Sequence, residues 1–84
     1  MFDNIDGNRD ASQIGLDASN PVDFKTIYDA AMQMLFKISY RIVNDEEVAE
    51  DLAHDSLIKA NEKAIVFPTV NDAKFWLIRV VKNA

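Results

Sequence analysis

N-D-E-E-V-A-E-D-L-A-H-D-S-L-I-K-A-N-E-K, residues 44–63, is the run from which the fold can be read. At about 100° per residue it makes one helix with two unlike faces. Glu47, Glu50, Asp51, His54, Asp55, Ile58, Asn61 and Glu62 fall on one side, and Val48, Ala49, Leu52, Ala53, Ser56 and Ala60 on the other. The first face is acidic; the second is apolar and small, so that neighbouring helices can approach closely. Asn44 is expected as the N-cap, with Glu47 reaching back to it in a capping box. Asp45, Glu46 and Glu47 suit the positive end of the helix dipole. Glu50, Asp51 and Asp55 lie deeper, where like charges three to five residues apart repel by a few tenths of a kcal/mol per pair. A stripe that repels itself wants a partner from outside the helix.

Before this helix, Asn20-Pro21 supplies a cap followed by proline at the first helical position, with Asp23 in the first turn. Phe24, Ile27, Tyr28, Ala31, Leu35, Ile38 and Ile42 then recur at helical steps, and Met32, Met34, Phe36 and Val43 widen the apolar surface. After it comes Ala64-Ile65-Val66-Phe67-Pro68-Thr69-Val70-Asn71, in which Pro68 forces Phe67 out of helical geometry. This connection reads either as a short β-like piece or as an exposed loop whose Phe67 could stack on a base. Asn71 is expected to cap a third helix with Ala73, Leu77, Val80 and Ala84 inward, Trp76 beside them, and Phe75, Ile78, Arg79 and Lys82 partly outside.

The fold class is therefore all-α, a small three-helix bundle over residues 20–84, with room for a short extra helix in the loop. Residues 1–19 hold both glycines and no sustained apolar period, and read as a disordered leader. The third helix ends without a cap or polar tail, which suggests a fragment of a longer protein that lacks its second domain.

With 84 residues, 49% of them hydrophobic, the chain is at most one domain near the lower limit for a self-sufficient core. The absence of cysteine excludes disulfides and thiolate metal sites. No secretory signal or membrane span is present, and a cytoplasmic protein is expected. The net charge of −5 is unevenly spread. Residues 1–23 carry five acids and one base, and residues 24–84 nine acids and eight bases. Lys74, Arg79 and Lys82 make the last segment basic, enough to steer a polyanion locally.

Three segments in order carry a family likeness: F-K-T-I-Y-D, then R-I-V-N-D-E-E-V-A-E-D-L-A-H-D-S-L-I-K-A, then F-W-L-I-R-V-V-K-N-A. They resemble region 2 of RNA polymerase sigma factors of the sigma-70 family, extracytoplasmic-function (ECF) type. Residues 49–58 follow that group's acidic helix and residues 76–83 its W-L-x-R stretch. The resemblance implies a transcription initiation domain, not an enzyme; no cofactor or metal is expected. Its partners would be the β′ clamp coiled coil of RNA polymerase and the non-template strand of the promoter −10 element, with an anti-sigma factor as a further partner left open. Carried onto this chain, Asp51, His54, Asp55, Ile58, Asn61 and Glu62 would dock on the polymerase. The loop Phe67, Pro68, Thr69, Val70 and Asn71 would receive an unstacked base, and Lys74, Arg79, Lys82 and Asn83 would meet the opened strand. Three positions depart from the family pattern: His54 stands where glutamine is usual, Asn61 in the place of a frequent tryptophan, and Ala73 where an aromatic is common. That leaves Phe75 and Phe67 as the nearest aromatics for stacking.

The residues themselves admit other readings. An acidic stripe taken alone is most simply a solvated face. Glu50 and Asp51 with His54 make half of a carboxylate-bridged metal site, but the other helices offer no histidine. Ser56 lies across the helix from His54, so nucleophilic catalysis has no support. The alternative function is a helical interaction module that binds a protein through the acidic face and ignores DNA.

Overall fold

The computed structural model describes residues 15–83. Its elements in chain order are β1 (Leu16–Asp17), α1 (Pro21–Val43), α2 (Glu46–Glu62), β2 (Val66–Phe67) and α3 (Val70–Lys82). Three helices dominate, and the fold is all-α.

Helix α1 begins as its sequence dictates: the Asn20 side chain accepts from the Val22 and Asp23 N–H groups, with Pro21 just inside. Its buried stripe is Ile27, Ala31, Leu35 and Ser39, a strict four-residue repeat. Ile42, expected inward, is exposed. Asn44 is the left-handed C-cap of α1, with φ 59° and its N–H donated to the Tyr40 carbonyl. The N-cap of α2 is instead Asp45, whose side chain accepts from the Val48 N–H at 3.0 Å. Asparagine tolerates the left-handed region better than most residues, so the two adjacent caps divide the corner between them.

Helix α2 packs through Ala49, Ala53, Ser56, Leu57 and Ala60. Val48, expected inward, turns outward, and Leu57, on neither expected face, turns inward. The small side chains bring α2 close to α1, and Leu57 joins Ile27, Leu35, Leu77 and Val81 in the core. The helix ends in a Schellman motif: Ile65 N–H reaches the Ala60 carbonyl, Ala64 N–H reaches that of Asn61, and Ala64 is left-handed with φ 51°.

The connection to α3 holds no extra helix. It contains β2, paired antiparallel with β1 in the register Leu16 to Phe67 and Asp17 to Val66. Residues 15–19, which the sequence reading places in the leader, are thus part of the described fold, and Ala18 is fully buried. A two-residue strand is too short to show periodicity, and its partner lies some fifty residues away. Residues 1–14 of that leader lie outside the described residues. Helix α3 is capped by Thr69, not Asn71. The Thr69 Oγ1 accepts from the Asp72 N–H and donates to the Asp72 carboxylate at 2.8 Å. Starting two residues earlier rotates nothing, but the inward residue of its last turn is Val81, with Val80 half-buried.

Candidate polymerase and nucleic-acid faces

Asp51, Asp55, Ile58 and Glu62 follow one another at steps of four, three and four residues, which keeps them on a single line along α2. All four are exposed, Ile58 by 47%. The core-facing alanines lie directly behind them, so burying that seam obliges this line to face outward. Among the described residues the ion pair formed is Lys25 with Asp29 on α1, 2.9 Å apart, and no carboxylate of α2 takes part in one. The result is a ridge of unneutralised acid with one apolar side chain in its middle.

Two residues expected on that ridge are engaged within the domain. His54 is half-buried, its Nε2 sharing a 2.9 Å hydrogen bond with the Tyr28 hydroxyl. Its ring continues a tilted series with Tyr28 and Phe24 along the α1 seam. Asn61 donates its side-chain amide to the Ala18 carbonyl at 2.9 Å. Both flank the ridge and bind α2 to its neighbours.

The residues expected to meet DNA divide three ways. Phe67 is 4% exposed and packs against Trp76, ring centroids 5.9 Å apart. The expectation of an exposed Phe67 is corrected: pairing of β2 with β1 turns its side chain into the core, as strand alternation requires once Val66 faces out. Pro68, Thr69 and Asn71 are exposed and Val70 half-buried, with Thr69 occupied in capping α3. On α3, Arg79 and Lys82 are exposed, whereas Lys74 is half-buried and lies about 140° round the helix from Arg79. The structure does not bring all four polar residues of α3 together.

Two features add to the expected site. Phe75, 67% exposed, precedes Arg79 by four residues and Lys82 by seven, so an aromatic ring and two cations share the outer face of α3. Helical spacing already sets Phe75, Arg79 and Lys82 partly outside, with Phe75 a candidate for stacking. Second, Arg79 and Asn83 also border an open cleft of about 430 Å³, shared with Lys59, Lys63, Trp76 and Val80. This adds the last turn of α2 to the basic surface. The acidic ridge and this cationic cleft are neighbouring strips of the same helix pair.

The Sigma-70 region 2 family model matches residues 27–84. The chain belongs to that family. Sigma-70 region 2 is a transcription initiation domain that binds core RNA polymerase and the promoter −10 element. Comparisons with curated proteins and with solved structures give no match. The region 2 match takes in most of α1 and all of α2, β2 and α3, and leaves β1 outside it. Among the described residues of this region 2 domain, no helix is long and apolar enough to cross a membrane. Nor is any group of three or more His, Asp or Glu placed to hold a metal ion.

Proposed function

We propose that the domain belongs to an ECF-type sigma factor, and that α2 docks on the β′ clamp coiled coil while the outer face of α3 and the loop before it meet the non-template strand. The observation that carries the docking half is the ridge Asp51, Asp55, Ile58 and Glu62: exposed, without an ion pair among the described residues, and carried on a helix fixed from behind by close-packed alanines. Charge around a central apolar anchor is the anatomy of a protein interface, and the charge steers a cationic partner. His54 and Asn61, bonded to Tyr28 and Ala18, would hold α2 in place from outside that contact.

For the nucleic-acid half, Phe75 with Arg79 and Lys82 provides a ring for a base and cations for phosphates. Phe75 takes the stacking role that Phe67 cannot fill in this conformation. Lys59 and Lys63 extend the cationic surface along the cleft toward the loop. The site of action would be with the polymerase, in the cytoplasm.

Replacing Asp51 and Asp55 by arginine reverses the ridge without touching the buried seam. Capture of a purified β′ coiled coil by the double variant should fall by at least about tenfold, a loss of ~1.4 kcal/mol. Unchanged capture would remove the docking assignment. A DNA-independent interaction module would use the same ridge. It is separated from the sigma reading by single-strand binding that weakens steeply as salt rises; binding that ignores salt, or none, would favour the module.

A further inference from the structure

The short strand β1 is tied to the domain far more firmly than its length suggests. Besides the two paired positions, the Ala18 N–H donates to the Ile65 carbonyl at 2.9 Å. The Ala18 carbonyl accepts from the Asn61 amide at the end of α2, also at 2.9 Å. Ala18 itself is fully buried within the core cluster, and Leu16 packs against it. The Asp17 N–H donates to the Asp23 carboxylate, joining the segment to the first turn of α1. The Asp17 carboxylate accepts from the Ser19 hydroxyl and N–H, which holds its pKa below the ordinary value. Gly15 lies so close to β2 that a Cβ there would sit 2.7 Å from Val66 Cγ1 and 3.0 Å from the Phe67 carbonyl oxygen.

The pairing with β2, the Ala18 bond to Ile65 and the close approach of Gly15 converge on one target. Between the Schellman turn at Ala64 and the Thr69 cap, the chain from Ile65 to Pro68 has no helix to hold it. Leu16 and Asp17 pair with Phe67 and Val66, and Ala18 holds the Ile65 carbonyl. A connection of this kind would otherwise lose order at little cost, since few residues tie it down. The segment that fixes it is remote in sequence and outside the family match.

We propose that residues 15–18 are a positioning strap, which fixes the loop following β2 and the start of α3 in the arrangement that receives single-stranded DNA. Asn61 anchors the strap to α2 and is a positioning residue, not part of the polymerase contact. The inference rests on the reading of the loop and α3 as the DNA-facing surface. The strap acts by pre-ordering: a loop already held in place does not have to be ordered when the strand binds.

The test uses the full chain with two variants. Gly15→Val drives a branched side chain into β2, and Asn61→Ala removes the amide that holds Ala18. The probe is a fluorescein-labelled single-stranded DNA pool of random sequence. Capture of the β′ coiled coil and far-UV circular dichroism are measured in parallel. Each variant should bind DNA about five- to tenfold more weakly, lose amide-exchange protection at Phe67, and keep coiled-coil capture and helix content. Variants that lose that protection but bind DNA as the wild type does would overturn the strap. So would an equal loss of capture and DNA binding, which marks a general packing defect. If the wild-type chain binds no single strand, the reading of the loop and α3 fails first, and the strap with it.

Discussion

Phe67 and Phe75 lie eight residues apart, and exchanging their fates on paper gives opposite expectations for the same two alanine substitutions. Phe67 is 4% exposed, so nearly all its ring is removed from water. An aromatic side chain buries about 150–250 Å², worth roughly 4–6 kcal/mol at about 25 cal/mol per Å². Phe67 sits on a two-residue strand at the rim of the core, where neighbours can partly close the gap. The lower end of the usual Phe-to-Ala range, about 3 kcal/mol, is therefore expected. A domain of this size is stable by only about 4–10 kcal/mol, so Phe67→Ala should lower Tm by roughly 12 °C or more. Phe75 is 67% exposed on a helix. Its replacement by alanine loses little packing and gains about 0.5 kcal/mol of helix propensity, while removing a stacking contact of about 1–3 kcal/mol per base. Urea denaturation and fluorescence anisotropy with single-stranded DNA should separate the pair. Phe67→Ala should melt early, and Phe75→Ala should fold normally but bind DNA at least about fivefold more weakly. A Phe67→Ala protein as stable as the wild type, yet defective in DNA binding, would refute this reasoning and restore the exposed-loop reading.

Two further outcomes follow from backbone and core. Ala64 occupies the left-handed position that closes α2. This costs an L-residue about 1–2 kcal/mol, against the roughly 0.4–1 kcal/mol of extra chain entropy that glycine brings to the unfolded state. Ala64→Gly should raise stability by about 0.5–1 kcal/mol in urea titration, and a loss would show that the turn is not strained. Ser39 is fully buried with its hydroxyl unpaired among the described residues. Ser39→Ala removes the cost of burying that group, so it should be neutral or raise Tm by a few degrees; a fall of more than about 1 kcal/mol would mean that the hydroxyl has a partner.

The helices could be read from the chain because their periodicity is local. Spacing alone places Ile27, Ala31, Leu35, Ala49, Ala53, Ala60, Ala73 and Leu77 inward, and all are buried. The caps were harder. Asn44 and Asp45 are both good N-cap residues, and the choice between them turns on which one the preceding helix needs in the left-handed position. At Thr69 the threonine-x-x-aspartate signature was present, but Asn71 competed for it. Phe67 could not be assigned at all from local sequence. Whether it faces the core depends on Leu16 and Asp17, in a segment whose composition reads as disordered. The outward carboxylates of α2 were legible, since any helix with an alanine face must present its other side. That His54 and Asn61 turn back to Tyr28 and Ala18 depends on what lies beside them in space.

Helix α2 meets two demands that oppose one another. Glu46, Glu47, Glu50, Asp51, Asp55 and Glu62 are all exposed on one short helix, and no ion pair among the described residues relieves them. The acids of the first turn are compensated by the dipole, but Asp51 and Asp55 gain nothing from it and repel at each four-residue step. Intrinsic helix stability therefore does not explain their presence. What keeps the helix folded is the seam behind it, where Ala49, Ala53, Leu57 and Ala60 are buried, the last three in the core cluster shared with α1 and α3. The same seam prevents the helix from rotating to hide its charge. A cationic partner laid along the ridge would convert this repulsion into attraction. On that argument, neutralising Asp51 and Asp55 with asparagine should stabilise the isolated domain slightly while weakening polymerase capture. Such opposed effects on folding and binding are what distinguish a surface kept for a partner from one kept for solubility.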